Sequence, residues 1–281
     1  MKRRPSPVIL ALQYLLLIAA AIFAFYPVWF AILASGRLGS RLYSLNLAGM
    51  LLPIEWTFEN YRVMLFDRPF LTWLTNSLIV AAITMGSSML FATSAAFAFS
   101  RFRFKGRELG LIFFLALQAF PGILSLIPVA QLLSALGLYG SKLGLVFAYT
   151  TGTLIFCTWN LKGYFDTIPI DLEEAGMIDG AGPIQSFLLI ALPLARPALA
   201  VTALFAFLAG WSDFVFASVL VPAPDSAKML VPGMYSLANS MSVPWGYFAA
   251  GAVMIIIPVS ALFLYLQRFF ESGLTLGGVK G

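Results

Sequence analysis

Six long apolar runs limit what this chain can fold into more than any other feature of its sequence. Sixty per cent of the 281 residues are apolar and 10% are charged, whereas soluble domains are about a quarter charged. The shortest run, 143–161, is just long enough to cross a bilayer at about 1.5 Å per helical residue. We therefore predict an all-α, polytopic membrane protein, a single domain over 1–281, with six transmembrane helices at 5–36, 70–100, 109–141, 143–161, from Pro197 onward and at 245–267.

Prolines and flanking charges refine this layout. The first run follows Lys2-Arg3-Arg4 and is about twice as long as the apolar core of a signal peptide. We therefore expect a retained membrane helix, bent at Pro27. Pro121 and Pro128 predict that the third helix is broken or kinked. A short interfacial helix is expected around Glu59–Leu65, in the mixed segment after the first run.

The distribution of lysine and arginine predicts the orientation. With the N-terminus inside, eleven of these residues fall on inner segments and six on outer segments. Because cytoplasmic loops carry the excess of positive charge, both termini, the loop 162–196 and the tail 268–281 are predicted to be cytoplasmic. We interpret the basic cluster Arg101–Arg107 as a topology anchor, with binding to lipid headgroups as the alternative. The inner residues are Lys2, Arg3, Arg4, Arg101, Arg103, Lys105, Arg107, Lys162, Arg196, Arg268 and Lys280; the outer ones are Arg37, Arg41, Arg62, Arg68, Lys142 and Lys228.

The composition argues against several classes of function. The chain has no histidine, which removes histidine-based metal sites, haem ligation by histidine and Ser-His-Asp chemistry. It also has no phosphate-binding G-x-x-x-x-G-K-[ST] motif, so any ATP must be bound by another chain. A pI near 9.4 is compatible with nucleic-acid binding, but the basic residues lie at the ends of apolar runs, where topology explains them. We expect no enzyme activity, no cofactor or metal on this chain and no nucleic-acid partner.

The segment Asp171–Pro197 is a polar island between two apolar runs. Asp171 is expected to cap a short helix, with Glu174 three residues later completing a capping box. Gly180 and Gly182 are residues that tolerate left-handed backbone and predict the end of that helix. Pro183 suits the first turn of a second helix, over 183–191, which is expected to end near Pro193. The island is therefore predicted to be a helical hairpin with a glycine turn.

The island carries a motif of known type. The spacing Glu174-Ala175-Gly176-x-x-Asp179-Gly180-Ala181, followed by Phe187, Ile190, Leu192-Pro193 and Pro197, resembles the cytoplasmic "EAA" loop of permease subunits of ABC importers. Gly176 departs from the family pattern, which has alanine at that position. The resemblance implies that the loop is a coupling helix that docks into a cleft on a cytoplasmic ATPase. The residues it assigns to this contact are Asp171, Glu173, Glu174, Ala175, Gly176, Asp179, Gly180, Ala181 and Pro193.

Polar side chains inside apolar runs form a second group of candidates. Asp213 is the only charged residue between Arg196 and Asp225, and a carboxylate in a membrane segment is costly to bury. We expect it either to line the transport pathway or a subunit interface, or to face water near the outer end of its helix. Four amide side chains inside apolar runs are expected to form hydrogen bonds between helices, with contact to substrate as the alternative: Asn76, Gln118, Gln131 and Asn160.

The C-terminal tail, from Gly273 to Gly281, is rich in glycine, and its composition alone predicts disorder. It resembles the ending of one of the two permeases in maltose-type sugar importers. This resemblance implies that Leu274, Thr275 and Lys280 contact the ATPase.

Together these resemblances identify the chain as a member of the ABC-importer permeases of carbohydrate type. They imply import of an oligosaccharide or disaccharide, maltose-like or trehalose-like, by alternating access in the inner membrane. The chain would form half of the pathway and work with a second, different permease, two cytoplasmic ATPase subunits and an extracytoplasmic sugar-binding protein. A secondary transporter or a channel that does not use ATP would share the hydropathy, although it would not need the charged hairpin.

Overall fold

A computed structural model describes residues 6–37, 51–53, 56–222, 224, 227–238 and 245–277. These residues contain helices and no strand, which confirms the all-α prediction. The helices are α1 (Pro7–Ser35), α2 (Glu59–Arg62), α3 (Phe70–Arg101), α4 (Arg107–Gln118), α5 (Leu126–Ala135), α6 (Lys142–Phe165), α7 (Asp171–Ile178), α8 (Pro183–Ser186), α9 (Leu192–Leu194), α10 (Arg196–Trp211), α11 (Val215–Leu220), α12 (Leu230–Ala238) and α13 (Trp245–Gly277).

Within the described part of the chain, three unbroken helices are long and apolar enough to cross a membrane: Pro7–Ser35, Phe70–Arg101 and Trp245–Phe269. The number rises to as many as five if each of two bent helix pairs counts as one span. One pair is Arg107–Gln118 with Gly122–Ala135, bent by 94°, and the other is Pro183–Leu194 with Arg196–Trp211, bent by 81°. The fourth apolar run forms α6, which has 24 residues. The count of six spans stays a prediction.

The break in the third run lies at Pro121, as the sequence predicts. Pro121 is extended (φ −61°, ψ 112°) and precedes a 3₁₀ turn, Gly122–Ser125. Proline has no backbone N–H to donate, and its ring clashes with the turn that precedes it. α4 therefore ends at Gln118, shortly before Pro121. Pro128 breaks nothing, because it lies in the first turn of α5, where N–H groups have no partner within the helix in any case.

Contacts between Cα atoms divide the chain into two compact units. One consists of Met1–Phe70 and Met234–Ile257, and the other of Leu71–Gly233 and Pro258–Gly281. In the first unit, the expected helix near Glu59 is present as α2 and continues as a π turn, Val63–Asp67. There the Asn60 side-chain amide donates to the carbonyls of Ser35 and Arg37, at 2.8 and 2.7 Å.

In the second unit, α3, α6 and α10 pack through small and hydroxyl side chains. Gly210 lies so close to α3 that an added Cβ would come within 2.9 Å of the Cα of Ala81. Two hydroxyl pairs join α3 to α6, Ser87 with Thr150 and Ser88 with Thr153, each at 2.7 Å. Small residues let membrane helices approach, and polar pairs then bond across the interface.

Of the four amide side chains expected to bond between helices, the two asparagines do so in this unit, whereas Gln118 and Gln131 are exposed and form no such bond within the described residues. The Asn160 amide of α6 donates to the hydroxyl of Thr202 on α10 at 2.7 Å. The Asn76 amide of α3 donates to the carbonyls of Ala227 and Lys228, at 3.0 and 3.1 Å, and its oxygen accepts from Lys142. These contacts confirm the structural reading of the two side chains.

The tail differs from the expectation drawn from its composition. α13 continues through Gly273 and Leu274 to Gly277, so the prediction of disorder is wrong for that stretch. Each glycine costs a helix roughly 1 kcal/mol relative to alanine, but a helix that is already formed gains one hydrogen bond for every residue it adds. Lys280 lies outside the described residues.

The orientation of the chain can be tested with reporter fusions. Reporters joined after Lys105, Lys162 and Lys280 are expected to show cytoplasmic activity. These positions lie in the segments rich in lysine and arginine that are predicted to be on the inner side. Reporters at Glu59 and after Pro224 are expected to show external activity. A cytoplasmic signal after Pro224 would contradict the arrangement of six spans.

Candidate functional site

The polar island forms a hairpin of two helical arms. The first arm, α7, begins differently from the expectation. Asp171 is the first helical residue and not the cap; Ile170 occupies the cap position, without a side-chain hydrogen bond. The first N–H groups of α7 bond to carbonyls of the preceding turn, Leu172 to Pro169 at 3.3 Å and Glu173 to Ile170 at 2.9 Å. The N–H of Glu174, which the predicted capping box would pair with the Asp171 side chain, bonds instead to the carbonyl of Ile170 at 3.1 Å, so the box does not form.

The end of α7 matches the expectation at Gly180. Its φ angle is +93°, in the left-handed region that side chains other than glycine disfavour by roughly 1–2 kcal/mol. The N–H of Ala181 bonds to the carbonyl of Gly176 at 2.9 Å, and the N–H of Gly180 bonds to that of Met177 at 3.1 Å. This pair of bonds is the Schellman motif. Gly182, in contrast, has an ordinary φ of −72°, so only one of the two glycines makes the left-handed turn.

The second arm begins where Pro183 was expected to start it. The side-chain oxygen of Gln185 accepts from the N–H of Gly182 at 3.0 Å, and Pro183 occupies the first helical position. The arm runs through α8, a π turn over Phe187–Ala191, and α9 to Leu194, so it ends near Pro193 as predicted. Proline lacks an N–H and clashes with the carbonyl four residues earlier. The wider π turn just before Pro193 accommodates that defect.

The two arms pack tightly on each other and on the helices α3 and α6. Gly176 faces Ile190, and a Cβ at that position would overlap the Ile190 Cδ1 atom. Phe187 of the second arm lies 4.6 Å from the ring centroid of Phe97 on α3 and 6.5 Å from that of Phe165 on α6. These aromatic contacts attach the hairpin to both helices where they end.

A buried ion pair provides a second attachment. The Arg101 guanidinium, at the last residue of α3, donates from Nε to Glu173 Oε1 at 2.7 Å, and the two side chains are 8% and 6% exposed. Arg101 also donates to the carbonyl of Ile168 and to the hydroxyl of Ser100, each at 3.0 Å. Removing one partner of a buried ion pair costs on the order of 3–5 kcal/mol, because the other charge is left uncompensated.

The network continues to the end of α6. Ser100 donates to one oxygen of Asp166 and Lys162 to the other, both at 2.6 Å. Partial burial raises the pKa of the Asp166 carboxyl, but the hydrogen bonds from Lys162 and Ser100 outweigh burial and hold that pKa below its ordinary value. The pair Lys162–Asp166 is half exposed on its acidic side, so it stabilises by at most about 1 kcal/mol. The strong contact in this network is the one between Arg101 and Glu173.

The surface of the hairpin that faces away from α3 and α6 carries both apolar and acidic side chains. Ile178 is 86% exposed and Ile184 is 74% exposed, and the side chains of Asp171, Glu174 and Asp179 are exposed on the same hairpin. Exposed apolar groups next to fixed charges are typical of an interaction surface. We call this face, with Leu172, Ala175 and Met177, the outer face of the hairpin; those three side chains are exposed as well.

The structure separates the candidate residues by the direction in which they point. Asp171, Glu174, Ala175, Asp179 and Gly180 are exposed, whereas Gly176, Ala181 and Pro193 are partly buried. Of these three, Gly176 packs against Ile190 of the second arm. Glu173 is buried against Arg101. Their role in contact with an ATPase stays a prediction, and Glu173 can serve it only indirectly in this conformation.

Sequence reasoning missed the part played by Arg101, which it included in a topology anchor. Arg103, Lys105 and Gly106 of the same cluster are exposed, as an anchor requires. The available signal was position: Arg101 is the last residue of a long apolar helix, so its side chain remains close to the protein. The partner, 72 residues later, leaves no trace in local sequence.

Three further candidates lie away from the hairpin. Leu274 and Thr275 are in the last turns of α13. Asp213 lies in the break between α10 and α11, where its Oδ2 atom accepts from the Tyr149 hydroxyl at 2.8 Å and from the N–H of Ala217 at 3.0 Å. The carboxylate thus joins α6 to the start of α11. A role of Asp213 in the pathway stays a prediction.

The role of Asp213 in stability can be measured. Asp213→Ala is expected to lower the free energy of unfolding by about 1–2 kcal/mol, because the N–H of Ala217 and the buried hydroxyl of Tyr149 both lose their acceptor. Asp213→Asn keeps an acceptor oxygen and is expected to lose less. Denaturant unfolding of the purified chain in detergent measures both, with Tyr149→Phe completing a double-mutant cycle. Equal stability of Asp213→Ala and the unchanged protein would refute this role.

Comparison with known proteins places these features in a family. Residues 88–276 match the family model described as "Binding-protein-dependent transport system inner membrane component". The chain is 39% identical over 276 residues to the galactooligosaccharides transport system permease protein GanQ of Bacillus subtilis (strain 168), covering 97% of this chain and 96% of that protein. It is 42% identical over 219 residues to the maltose/maltodextrin transport system permease protein MalG of Escherichia coli (strain K12), covering 76% and 73%.

A solved structure supports the fold. The fold matches that of a chain from the crystal structure of a bacterial ABC transporter involved in the import of the acidic polysaccharide alginate, with a TM-score of 0.79. The match covers 96% of this chain and 99% of that one, at 24% sequence identity, so it bears on the fold alone. The family match extends over both arms of the hairpin and most of α13, and the relatives are transport permeases and not enzymes. The chain belongs to the family of inner-membrane components of binding-protein-dependent transport systems, the permease subunits of ABC importers.

Proposed function

We propose that this chain is a permease subunit of an ATP-driven sugar importer and that the hairpin Asp171–Leu194 couples it to an ATPase. The observation that carries the proposal is the outer face of the hairpin. It presents apolar side chains such as Ile178 together with three carboxylates, on a short helix with a defined left-handed end. The exposed apolar side chains are unfavourable in water, and together with the carboxylates they match a cleft that combines apolar walls with basic groups.

The class of substrate is proposed from the relatives. The names of three of them specify galactooligosaccharides, maltodextrin and maltose/maltodextrin. Two of these relatives, GanQ and the maltodextrin permease MdxG of Bacillus subtilis (strain 168), align over 97% and 95% of this chain. An oligosaccharide or disaccharide built from hexoses is therefore the substrate we propose.

The proposed assembly contains a second, different permease, two ATPase subunits and an extracytoplasmic sugar-binding protein. Both termini and the hairpin lie on the cytoplasmic side in this proposal, which the excess of inner lysine and arginine supports. ATP-driven closure of the ATPase pair then displaces the hairpin, and the membrane helices move as rigid bodies to expose the pathway alternately on the two sides.

Gly180→Ala tests the coupling role of the hairpin. An alanine at φ +93° is strained by roughly 1–2 kcal/mol, although no atom lies within 4 Å of the added Cβ. The substitution therefore perturbs the end of α7 and the outer face without disturbing membrane packing. We expect sugar uptake and sugar-stimulated ATP hydrolysis to fall sharply in the assembled importer, at unchanged abundance of the complex.

Gly182→Ala is the matched control. It adds the same methyl group two residues away, at φ −72° and with only the Gln185 side chain at 4.0 Å, so uptake is expected to persist. Gly176→Ala is also expected to be tolerated, provided that the flexible end of Ile190 rotates away from the new methyl group. Full uptake by Gly180→Ala would make the hairpin a passive connector. Uptake that persists without ATP would favour a secondary transporter.

The tail provides an independent test of the proposed ATPase contact. We propose that Leu274, Thr275 and Lys280 meet the ATPase pair at the end of α13. A chain truncated after Gly273 should still insert, because the span Trp245–Phe269 is complete without the tail. Coupled uptake is expected to decrease, and quantitative transport assays at matched membrane abundance measure the loss. Unchanged uptake would exclude a functional contact of the tail.

A further inference from the structure

Besides its aromatic contacts, the hairpin is joined to a membrane helix by the buried ion pair Arg101–Glu173, and this pair suggests how motion is transmitted. α7 carries three carboxylates in its first turn, and only that of Glu173 points inward. Its partner, Arg101, is the last residue of α3, a 32-residue helix long enough to cross the membrane. The ion pair therefore joins α7, the shorter arm of the hairpin, directly to a helix long enough to cross the membrane.

The geometry of Arg101 makes this contact stiff. Its guanidinium donates from three nitrogen atoms in three directions: to Glu173, to the carbonyl of Ile168 and to the hydroxyl of Ser100. A planar, forked group held at all three nitrogens cannot rotate without breaking several bonds at once. Because the side chains of Arg101 and Glu173 are 8% and 6% exposed, water has little access to replace those bonds.

We propose that the ion pair Arg101–Glu173 is the rigid link by which a displacement of α7 reaches α3, so that both residues are positioning residues of the transport cycle. This inference rests on the proposed coupling function of the hairpin. The aromatic contact of Phe187 with Phe97 holds the second arm to the same helix. α7 is thus attached to α3 by the ion pair, and the second arm is attached to α3 by the contact between these two tilted rings. The hairpin and α3 therefore move as one body.

The first experiment uses the complete importer in lipid nanodiscs, with its partner permease, ATPase pair and binding protein. Glu173→Gln keeps the shape of the side chain but leaves the Arg101 charge unpaired. We expect uptake per ATP hydrolysed to fall about tenfold, a magnitude usual for the coupling between two sites, while ATP hydrolysis itself persists. Arg101→Lys keeps the charge but loses the forked donors. Its coupling ratio, meaning the uptake per ATP hydrolysed, is expected to lie between those of the unchanged importer and Glu173→Gln.

Matched controls make the same chemical changes on the exposed surface nearby. Glu108→Gln and Arg103→Lys alter side chains that are exposed beside the end of α3, and both are expected to retain the normal coupling ratio. A normal ratio in Glu173→Gln at normal abundance of the complex would overturn the proposal. So would a loss as large in the controls, because that would reflect surface charge and not the buried pair.

A second experiment does not depend on the folding of any ion-pair variant. Spin labels at Ser94 on α3 and Leu172 on α7, both exposed, report the distance between the two helices in a Cys157→Ala background. We expect this distance to stay constant between the nucleotide-free and ATP-bound complexes, while a label pair on the two ATPase subunits confirms closure. A change of several ångströms on ATP binding would overturn the rigid link.

Cross-linking separates this inference from the proposed function. A cysteine at Ile178, 86% exposed on the outer face, should cross-link to the ATPase in the otherwise unchanged complex and in Glu173→Gln alike. No cross-link in either would refute the coupling function, and the link with it. A cross-link in both, together with a normal coupling ratio in Glu173→Gln, would refute the link alone.

Discussion

The need to satisfy every backbone hydrogen bond out of water governs the rest of this structure. In the bilayer core an unpaired N–H or C=O costs several kcal/mol, so helices dominate and any irregular backbone must find another partner. The break between α10 and α11 shows how this is done. There the Asp213 carboxylate accepts the N–H of Ala217, and the same oxygen accepts the buried Tyr149 hydroxyl. One charged side chain thus satisfies an N–H group in the first turn of α11 and also binds the neighbouring helix α6.

The same requirement explains where charge is tolerated near the ends of the helices. At the end of α3 the Arg101 side chain enters the protein and pairs with Glu173, whereas Arg103 and Lys105 remain exposed. A buried ion pair need not stabilise a fold more than apolar packing does, since desolvation offsets much of the attraction. What the ion pair contributes here is orientation, because the bonds of the guanidinium to Glu173 and Ile168 fix one orientation of α7 relative to α3.

Features of the fold and site that depend on local chemistry could be predicted from the sequence. The left-handed end at Gly180, the break at Pro121 and the helix at Glu59 follow from properties of one or a few adjacent residues. Features that depend on distant partners could not. The pairing of Glu173 with Arg101, and of Asp213 with Tyr149, joins residues 72 and 64 positions apart. The predicted cap at Asp171 failed for a related reason, since the turn before it already satisfied the donors.

The outer face of the hairpin owes its shape to these distant contacts. A helix of eight residues is not stable alone in water, because forming its first turn costs more than the few hydrogen bonds return. α7 is ordered because its inward face, Glu173 and Gly176, is held by Arg101 and Ile190. The entropy of ordering the helix is thus lost during folding and not during binding. A partner that docks on the outer face, as we propose, therefore meets a surface that is already ordered, which leaves more of the contact energy for affinity and for the proposed displacement of α3.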